Sequence, residues 1–226
     1  MTVTIDNYTM EASEGAQYRE LVARLYPEDF RRVLGVRLRG KTLSLNERAE
    51  DGACVDTLTY AQEEGARIYE RSLRFVLLLA IRELLPGVRV RMENTTQTGL
   101  YARLVGVHLT AAMVRQIEER MRQLVAADMP FEKLVITREE AIRYFEREGQ
   151  TDKVRLLKYR AFEHFQLYKC GDMLEYFYGE MAPSTGYTPV FKQDFYMPGL
   201  ALSLPDPLDP SRPAKFRDQP KLMRCF

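Results

Sequence analysis

Apolar and polar residues alternate in short bursts over the first sixty positions. Thr2-Val3-Thr4-Ile5 reads as a strand, Asp6-Asn7 as a turn, and Tyr8 to Met10 as the returning strand of a hairpin. Within Glu14 to Tyr26, Ala16, Leu21, Val22 and Leu25 recur at helical spacing, and Pro27 ends that element. Alternation resumes from Val33 to Leu38, Gly40 turns the chain, and Val55 to Leu58 supplies a last strand.

The resulting order, β-β-α-β-β, predicts a small β-grasp, or ubiquitin-like, module. From Glu63 the pattern changes to longer helices. Ile68, Leu73, Phe75, Val76, Leu79, Ala80 and Leu84 form a broad apolar stripe that stops at Pro86-Gly87, which marks a long central helix packed on a sheet. Val88 to Met92 and Leu100 to Leu109 read as strands. Thr110 caps a helix reaching about Ala127, with Met113, Ile117, Met121, Leu124 and Val125 inward. A strand from Glu132 to Ile136 leads into Thr137-Arg-Glu-Glu140, a capping box that opens a helix to Arg147, and a further helical turn covers Asp152 to Leu157. Aromatic and polar residues alternate from Glu163 to Leu204, which predicts an antiparallel sheet with the loop Ala182 to Thr188 on its rim. Five prolines between Pro205 and Pro220 predict an extended tail with no core of its own. The expected fold class is therefore α+β.

Composition changes this picture little. The chain has 226 residues, 46% hydrophobic and 29% charged, with 33 basic against 32 acidic side chains, so net charge directs it toward neither nucleic acid nor an anionic membrane. Cys54, Cys170 and Cys225 are odd in number and far apart, giving neither a disulfide framework nor a paired metal motif, and they fit a reducing, cytoplasmic setting. The longest apolar run, Phe75 to Ile81, is too short to span a bilayer, and no basic segment followed by an apolar run marks the N-terminus for export.

One motif invites a nucleotide reading. Gly35-Val-Arg-Leu-Arg-Gly40-Lys41-Thr42 matches the phosphate-loop pattern G-x-x-x-x-G-K-T. A phosphate loop, however, must feed directly into a helix whose first amides hold the phosphates. Here Val-Arg-Leu-Arg alternates as a strand does, and Leu43-Ser-Leu-Asn-Glu leads to the Glu50-Asp51-Gly52 turn. A hairpin with Gly40 at its turn is expected instead.

Three local motifs in order carry a family resemblance over nearly the whole chain. Gly99-Leu100-Tyr101, Ile117-Glu118-Glu119-Arg120-Met121 and Arg138-Glu139-Glu140-Ala141 resemble the Gly-Phe-Tyr, I-E-x-x-M and R-E-E-A motifs of the second N-terminal domain of threonyl-tRNA synthetases. That domain is shared with alanyl-tRNA synthetases and free-standing editing proteins. Asn7 to Leu45 resembles the TGS module preceding it. The resemblance implies a TGS-like β-grasp domain over 1–62, an editing-like domain over 63–204 whose antiparallel sheet packs on the central helix, and a Pro-rich tail over 205–226.

In that family two histidines a helical turn apart and a Cys-x-x-x-His pair line a cleft suited to binding metal or activating water. The register of the resemblance puts Arg71 and Phe75 at the first pair and Phe177 and Met181 at the second, with Gly179 and Pro183 retained. None of these four side chains is an ordinary zinc ligand or a useful general base near neutral pH. His108 and His164 fall on expected strands outside both motifs and read as structural or surface residues. The expectation is no catalytic residue, no metal and no cofactor in this chain. The altered cleft offers Arg71, Phe75, Tyr101, Phe177, Tyr178, Met181, Ser184, Thr185 and Tyr187, with Tyr176 nearby, either to stack a base and contact a phosphate or simply to fill the old site with packing. Arg37, Arg39 and Lys41, with Arg31 and Arg32 in the same cluster, are the candidate RNA contacts of the β-grasp module, the alternative being simple solvation of an exposed strand.

Phe177-Tyr178-Gly179, Pro183-Ser184-Thr185-Gly186-Tyr187, Leu204-Pro205-Asp206-Pro207 and Gln219-Pro220-Lys221-Leu222 also resemble the N-terminal half of bacterial nucleoside kinases of the uridine-kinase type. There a TGS domain and an editing-like domain precede a phosphate-loop kinase domain. The resemblance implies a non-catalytic ligand-binding or regulatory region whose partners are its own downstream kinase domain and a nucleotide or RNA, with no membrane, and with ATP and Mg²⁺ used only by the kinase domain. The alternative is an editing-type hydrolase of aminoacyl-tRNA with a divergent site.

Overall fold

The structure is a computed structural model and describes residues 1–96, 99–160 and 162–218, with backbone alone for 94–96. Gln219 to Leu222 and Cys225, noted above, lie outside the described residues. The fold is α+β and forms two compact units, one of Met1–Met129 with Glu180 onward, the other of Pro130–Gly179.

The first unit opens with the β-grasp. Strands β1 (Thr2–Ile5), β2 (Tyr8–Glu11), β3 (Gly35–Leu38), β4 (Lys41–Leu43) and β5 (Ala53–Leu58) form a sheet in the order β2-β1-β5-β3-β4, with helix α1 (Tyr18–Leu25) between β2 and β3. β1 and β5 run parallel and the other pairs antiparallel. Val3, Ile5, Val36 and Leu58 bury one face with Tyr18, Leu21 and Val22 from α1. Arg39 and Gly40 both have positive φ, +49° and +79°, the geometry of a two-residue hairpin turn, which Gly adopts without steric cost. Leu38 pairs with Lys41 and Val36 with Leu43, so the phosphate-loop pattern is a hairpin and no helix follows it.

Helix α2 (Glu63–Leu84) follows, buried along Ile68, Leu73, Phe75, Val76, Leu77, Ala80 and Ile81. Strands β6 (Arg89–Thr96) and β7 (Gly99–Val105) form a hairpin, and helix α3 (Ala111–Ala126), capped by the Thr110 hydroxyl, buries Val114, Ile117, Met121 and Leu124. Val114 takes the inward place expected of Met113, and Val125 is only half-buried.

The second unit consists of β8 (Glu132–Thr137), α4 (Arg138–Arg147), α5 (Thr151–Tyr159), β9 (His164–Cys170) and β10 (Met173–Glu175). Its sheet has the order β10-β9-β8, and Ala141, Phe145, Val154, Leu157, Phe165 and Leu167 make its core. The expected capping box is present: the Thr137 hydroxyl accepts from the Glu140 amide at 3.3 Å while the Glu140 carboxylate accepts from the Thr137 amide at 2.9 Å.

The first unit resumes with β11 (Lys192–Tyr196) and β12 (Gly199–Ser203), which extend the hairpin into a four-stranded sheet, β11-β12-β7-β6. Two sequence expectations are corrected here. The residues 163–204 do not build one sheet, because β9 pairs with β8 and β10 with β9, while β12 pairs with β7 and β11 with β12. The tail, expected to be extended, forms where described the pair β13 (Pro205–Asp206) and β14 (Asp209–Pro213), and the Ala214 amide returns to the Leu204 carbonyl at 2.8 Å. His108 lies beyond β7 in the connection to α3, and only His164 is on a strand, as the first residue of β9.

Candidate functional site

The α2 side chains that interrupt its apolar stripe hold the segment after the second unit. The Tyr69 hydroxyl donates to the Val190 carbonyl at 2.9 Å and accepts from the Val190 amide at 2.8 Å. Burial raises its pKa well beyond the ordinary phenol range. Two residues on, Arg71 Nε donates to the Glu180 carbonyl at 2.8 Å. Ser72, fully buried, donates to the Ile68 carbonyl at 2.8 Å and accepts from the Ala182 amide at 2.9 Å. Phe75 is fully buried, and Met181 and Ala182 are buried as well.

Residues 181–188 form a continuous buried run and not the rim expected of them. The hydroxyls of Ser184, Thr185 and Thr188 are bound internally, as burial requires. Thr185 donates its hydroxyl to the Leu124 carbonyl at 2.6 Å and accepts from the Met129 amide at 2.9 Å, while its own amide donates to the Met129 carbonyl at 2.9 Å. The Ser184 hydroxyl donates to one oxygen of Asp128, and Arg31 of the β-grasp approaches the other at 2.7 Å. Arg31 also reaches the Gly186 carbonyl at 3.5 Å. The Tyr187 ring meets Phe30 edge-on at 6.2 Å, and burial, ahead of nearby charges, raises its pKa.

Tyr101 on β7 is 1% exposed, packs edge-on against Tyr196 at 6.0 Å, and lies over Gly199. Burial, followed by the charge of Glu93, raises its pKa. Gly99, first residue of the Gly-Leu-Tyr motif, has a structural cause: a Cβ there would overlap the Leu202 carbonyl of the adjacent strand.

Phe177 and Tyr178 belong to the second unit. Phe177 is 9% exposed, Tyr178 is 86% exposed, and Tyr176 is half-buried. The Tyr168 hydroxyl donates to the Gly179 carbonyl at 3.1 Å, and Gly179 takes φ +102°. In the β-grasp, Arg37 pairs with Glu64 at 3.1 Å, whereas Arg39 and Lys41 stand exposed at the β3–β4 turn. Among the described residues no group of three or more His, Cys, Asp or Glu is placed to hold a metal ion. A groove of about 720 Å³ between the end of α2 and α3, lined by Leu84, Leu85, Met113, Ile117, Arg120 and Gln123, holds none of the candidate ligand or RNA contacts named from the sequence.

With this geometry in place, comparison with known proteins shows what the chain is similar to. The chain resembles threonine–tRNA ligases over most of its length. It is 28% identical over 189 residues to the threonine–tRNA ligase of Ehrlichia ruminantium, covering 83% of this chain and 30% of the ligase. For that of Clostridium kluyveri the identity is 27% over 185 residues, 81% of this chain and 29% of the ligase. For that of Nitratidesulfovibrio vulgaris it is 27% over 195 residues, 85% of this chain and 30% of the ligase. This chain thus spans about 30% of the length of these relatives. No family model matches it. The β-grasp followed by an editing-like region agrees with that similarity.

Of the residues that fasten the segment, sequence reasoning missed Tyr69, Ser72 and Asp128 and read Arg31 as an RNA contact, where the structure pairs it with Asp128. For two of them a signal existed: Tyr69 and Ser72 place polar atoms inside the apolar stripe of α2, and buried polar atoms demand partners. Arg31 and Asp128 are 97 residues apart, and nothing local links them. No helix among the described residues is long and apolar enough to cross a membrane.

Proposed function

We propose that the chain is a non-catalytic recognition region, a ligase-like scaffold that binds RNA or nucleotide and regulates a nucleoside-kinase domain in a longer protein. The observation that carries this reading is the occupancy of the four positions corresponding to the editing groups. Arg71 is committed to the Glu180 carbonyl, Phe75 and Met181 are buried apolar side chains, and Phe177 is 9% exposed. Hydrolysis of an aminoacyl ester needs a base or a metal-bound water near neutral pH, and these side chains supply neither.

The kinase association is supported by the Phe-Tyr-Gly and Pro-Ser-Thr-Gly-Tyr motifs. ATP and Mg²⁺ belong in this reading to the kinase domain, because the Gly35 to Thr42 hairpin offers no helix N-terminus to phosphates. RNA recognition is supported by the similarity to ligases that act on a tRNA and by the exposed Arg39 and Lys41.

The test is a deacylation assay with a full set of charged tRNAs, paired with equilibrium binding of uncharged tRNA and nucleotides. Binding without turnover is the expected result. Deacylation that Arg71→Ala abolishes would establish the divergent hydrolase instead.

A further inference from the structure

The second unit carries an exposed surface that none of the roles above uses. The inner face of α5 buries Val154 and Leu157 in the unit's core. Its outer face does not look like a solvated helix face. Leu156 is 42% exposed and Tyr159 86%, and just beyond the helix Phe162 is 61% exposed, so three large apolar side chains fall within seven residues. Arg155 and Tyr159, one turn apart, share that outer face.

Charge distinguishes among the partners such a face could take. Between Lys153 and Arg160 the sequence has four basic residues, Lys153, Arg155, Lys158 and Arg160, and no carboxylate. Lys153 is paired with Glu175 and Lys158 with Glu146, at 3.2 Å for the latter. Arg155 is exposed and makes no ion pair among the described residues. Phe162 is held in place from behind: its ring sits edge-on to buried Phe165 at 6.4 Å, and Phe165 sits edge-on to Tyr176 at 6.4 Å. Arg138 reaches the Arg160 carbonyl at 3.4 Å, and Arg160 reaches the Tyr176 hydroxyl at 3.5 Å. Supported aromatic rings beside unpaired guanidinium charge fit stacked bases on a phosphate backbone better than an aliphatic protein surface.

We propose that the outer face of α5 together with Phe162 is a stacking surface for unpaired nucleotides of an RNA. Tyr159 and Phe162 take the bases, and Arg155 and Lys158 meet the phosphates. The choice of RNA rests on the reading proposed above, but the surface shares no residue with the altered cleft or the β3–β4 turn.

The experiment is fluorescence anisotropy of the full chain with a labelled single-stranded RNA of about twelve nucleotides, a duplex of the same sequence, and single-stranded DNA. The single-stranded RNA is expected to bind more tightly than the duplex. Tyr159→Ala with Phe162→Ala should weaken it about tenfold or more without changing the salt dependence, whereas Tyr159→Phe with Phe162→Tyr should retain affinity. Arg155→Ala with Lys158→Ala should lower the slope of log K against log salt by about one to one and a half. All these side chains are exposed, so an unchanged thermal melt serves as the control for folding. Absence of RNA binding, a preference for duplex or DNA, or an affinity that ignores the aromatic pair overturns the proposal. So does binding to anionic lipid vesicles that the same variant abolishes. Arg71-dependent deacylation would sink the functional reading and leave this surface standing. Loss of RNA binding through Arg39 and Lys41 alone would do the reverse.

Discussion

Ser72 and Ala182, separated by 110 residues, are joined by a buried hydrogen bond in which the Ala182 amide donates to the Ser72 hydroxyl at 2.9 Å. The hydroxyl's own proton goes to the Ile68 carbonyl, so both groups are satisfied inside the core. Ser72 stands between Arg71, which binds the Glu180 carbonyl, and Leu73, which is fully buried. Helix α2 thus acts as a fastener for the segment it faces, through Tyr69, Arg71 and Ser72.

Replacing Ser72 by Ala therefore leaves the Ala182 amide buried and unpaired, at a cost of about 1–3 kcal/mol. Urea denaturation of the Ser72→Ala variant should show a lower midpoint with an unchanged slope. A midpoint equal to that of the parent protein would mean that water reaches the Ala182 amide.

Gly65, in the first turn of α2, gives a prediction against helix propensity. Ala is favoured over Gly inside a helix by about 1 kcal/mol. A Cβ on Gly65, however, would overlap the Thr59 carbonyl of the preceding loop, which is backbone and cannot step aside cheaply. Gly65→Ala should destabilise the chain by about 1–3 kcal/mol by overpacking. Thermal melting decides the sign, and a raised Tm would show that the loop yields.

Asp128 serves two partners, Arg31 at 2.7 Å and the Ser184 hydroxyl, and takes a positive φ of 50°. The Arg31–Asp128 pair is 47% and 39% exposed, so solvent screening limits its coupling to about 1 kcal/mol or less. The Asp128–Ser184 bond involves a hydroxyl on a residue only 8% exposed and should couple more strongly, by about 1.5–3 kcal/mol. Double-mutant cycles on the two pairs test this ranking. The reverse order would mean that the β-grasp is held mainly by the ion pair. Gly186→Ala should disturb both pairs at once, since its Cβ would overlap the Asp128 carboxylate and come within 2.8 Å of Arg31.

The elements were largely legible because they follow from local periodicity and capping. The β-grasp order, the hairpin at Gly40 and the Thr137–Glu140 box all came from residues within a few positions of one another. What was not legible depends on distant pairing. Residues 163–204 alternate uniformly, yet the strand at 164–170 pairs with β8 and the strand at 199–203 with β7, a choice that alternation cannot express. Pro183 to Tyr187 reads as a polar loop and belongs on a rim by composition. It is buried because Leu124, Met129 and Asp128 accept or supply each of the hydrogen bonds described for Ser184 and Thr185. The resemblance gave Arg71 as a substituted position, but not that its Nε donates to the Glu180 carbonyl, a partner 109 residues away that no local pattern announces.

The β-grasp also carries an alkaline pH dependence whose sign can be worked out. The Tyr26 hydroxyl donates to Asp6 Oδ2 at 2.9 Å, while Asp6 Oδ1 accepts from the Thr57 amide at 2.8 Å. Burial first, and then the hydrogen bond to Asp6, push the Tyr26 pKa up to about 12. In the unfolded chain the phenol ionises near its ordinary value of about 10. The folded state therefore holds the proton more tightly. The stability contributed by this group is fully present below about pH 10 and is lost as pH rises through about 12. Burial also raises Tyr60 to about 12, so the parent chain should lose stability over this range for more than one reason. Comparison with Tyr26→Phe isolates the Tyr26 part: the variant should start less stable at neutral pH and lose less between about pH 10 and 12. Urea midpoints across that range provide the measurement, with phenolate absorbance as an independent count of the ionising groups. Parallel curves for the two proteins would remove Tyr26 from the account.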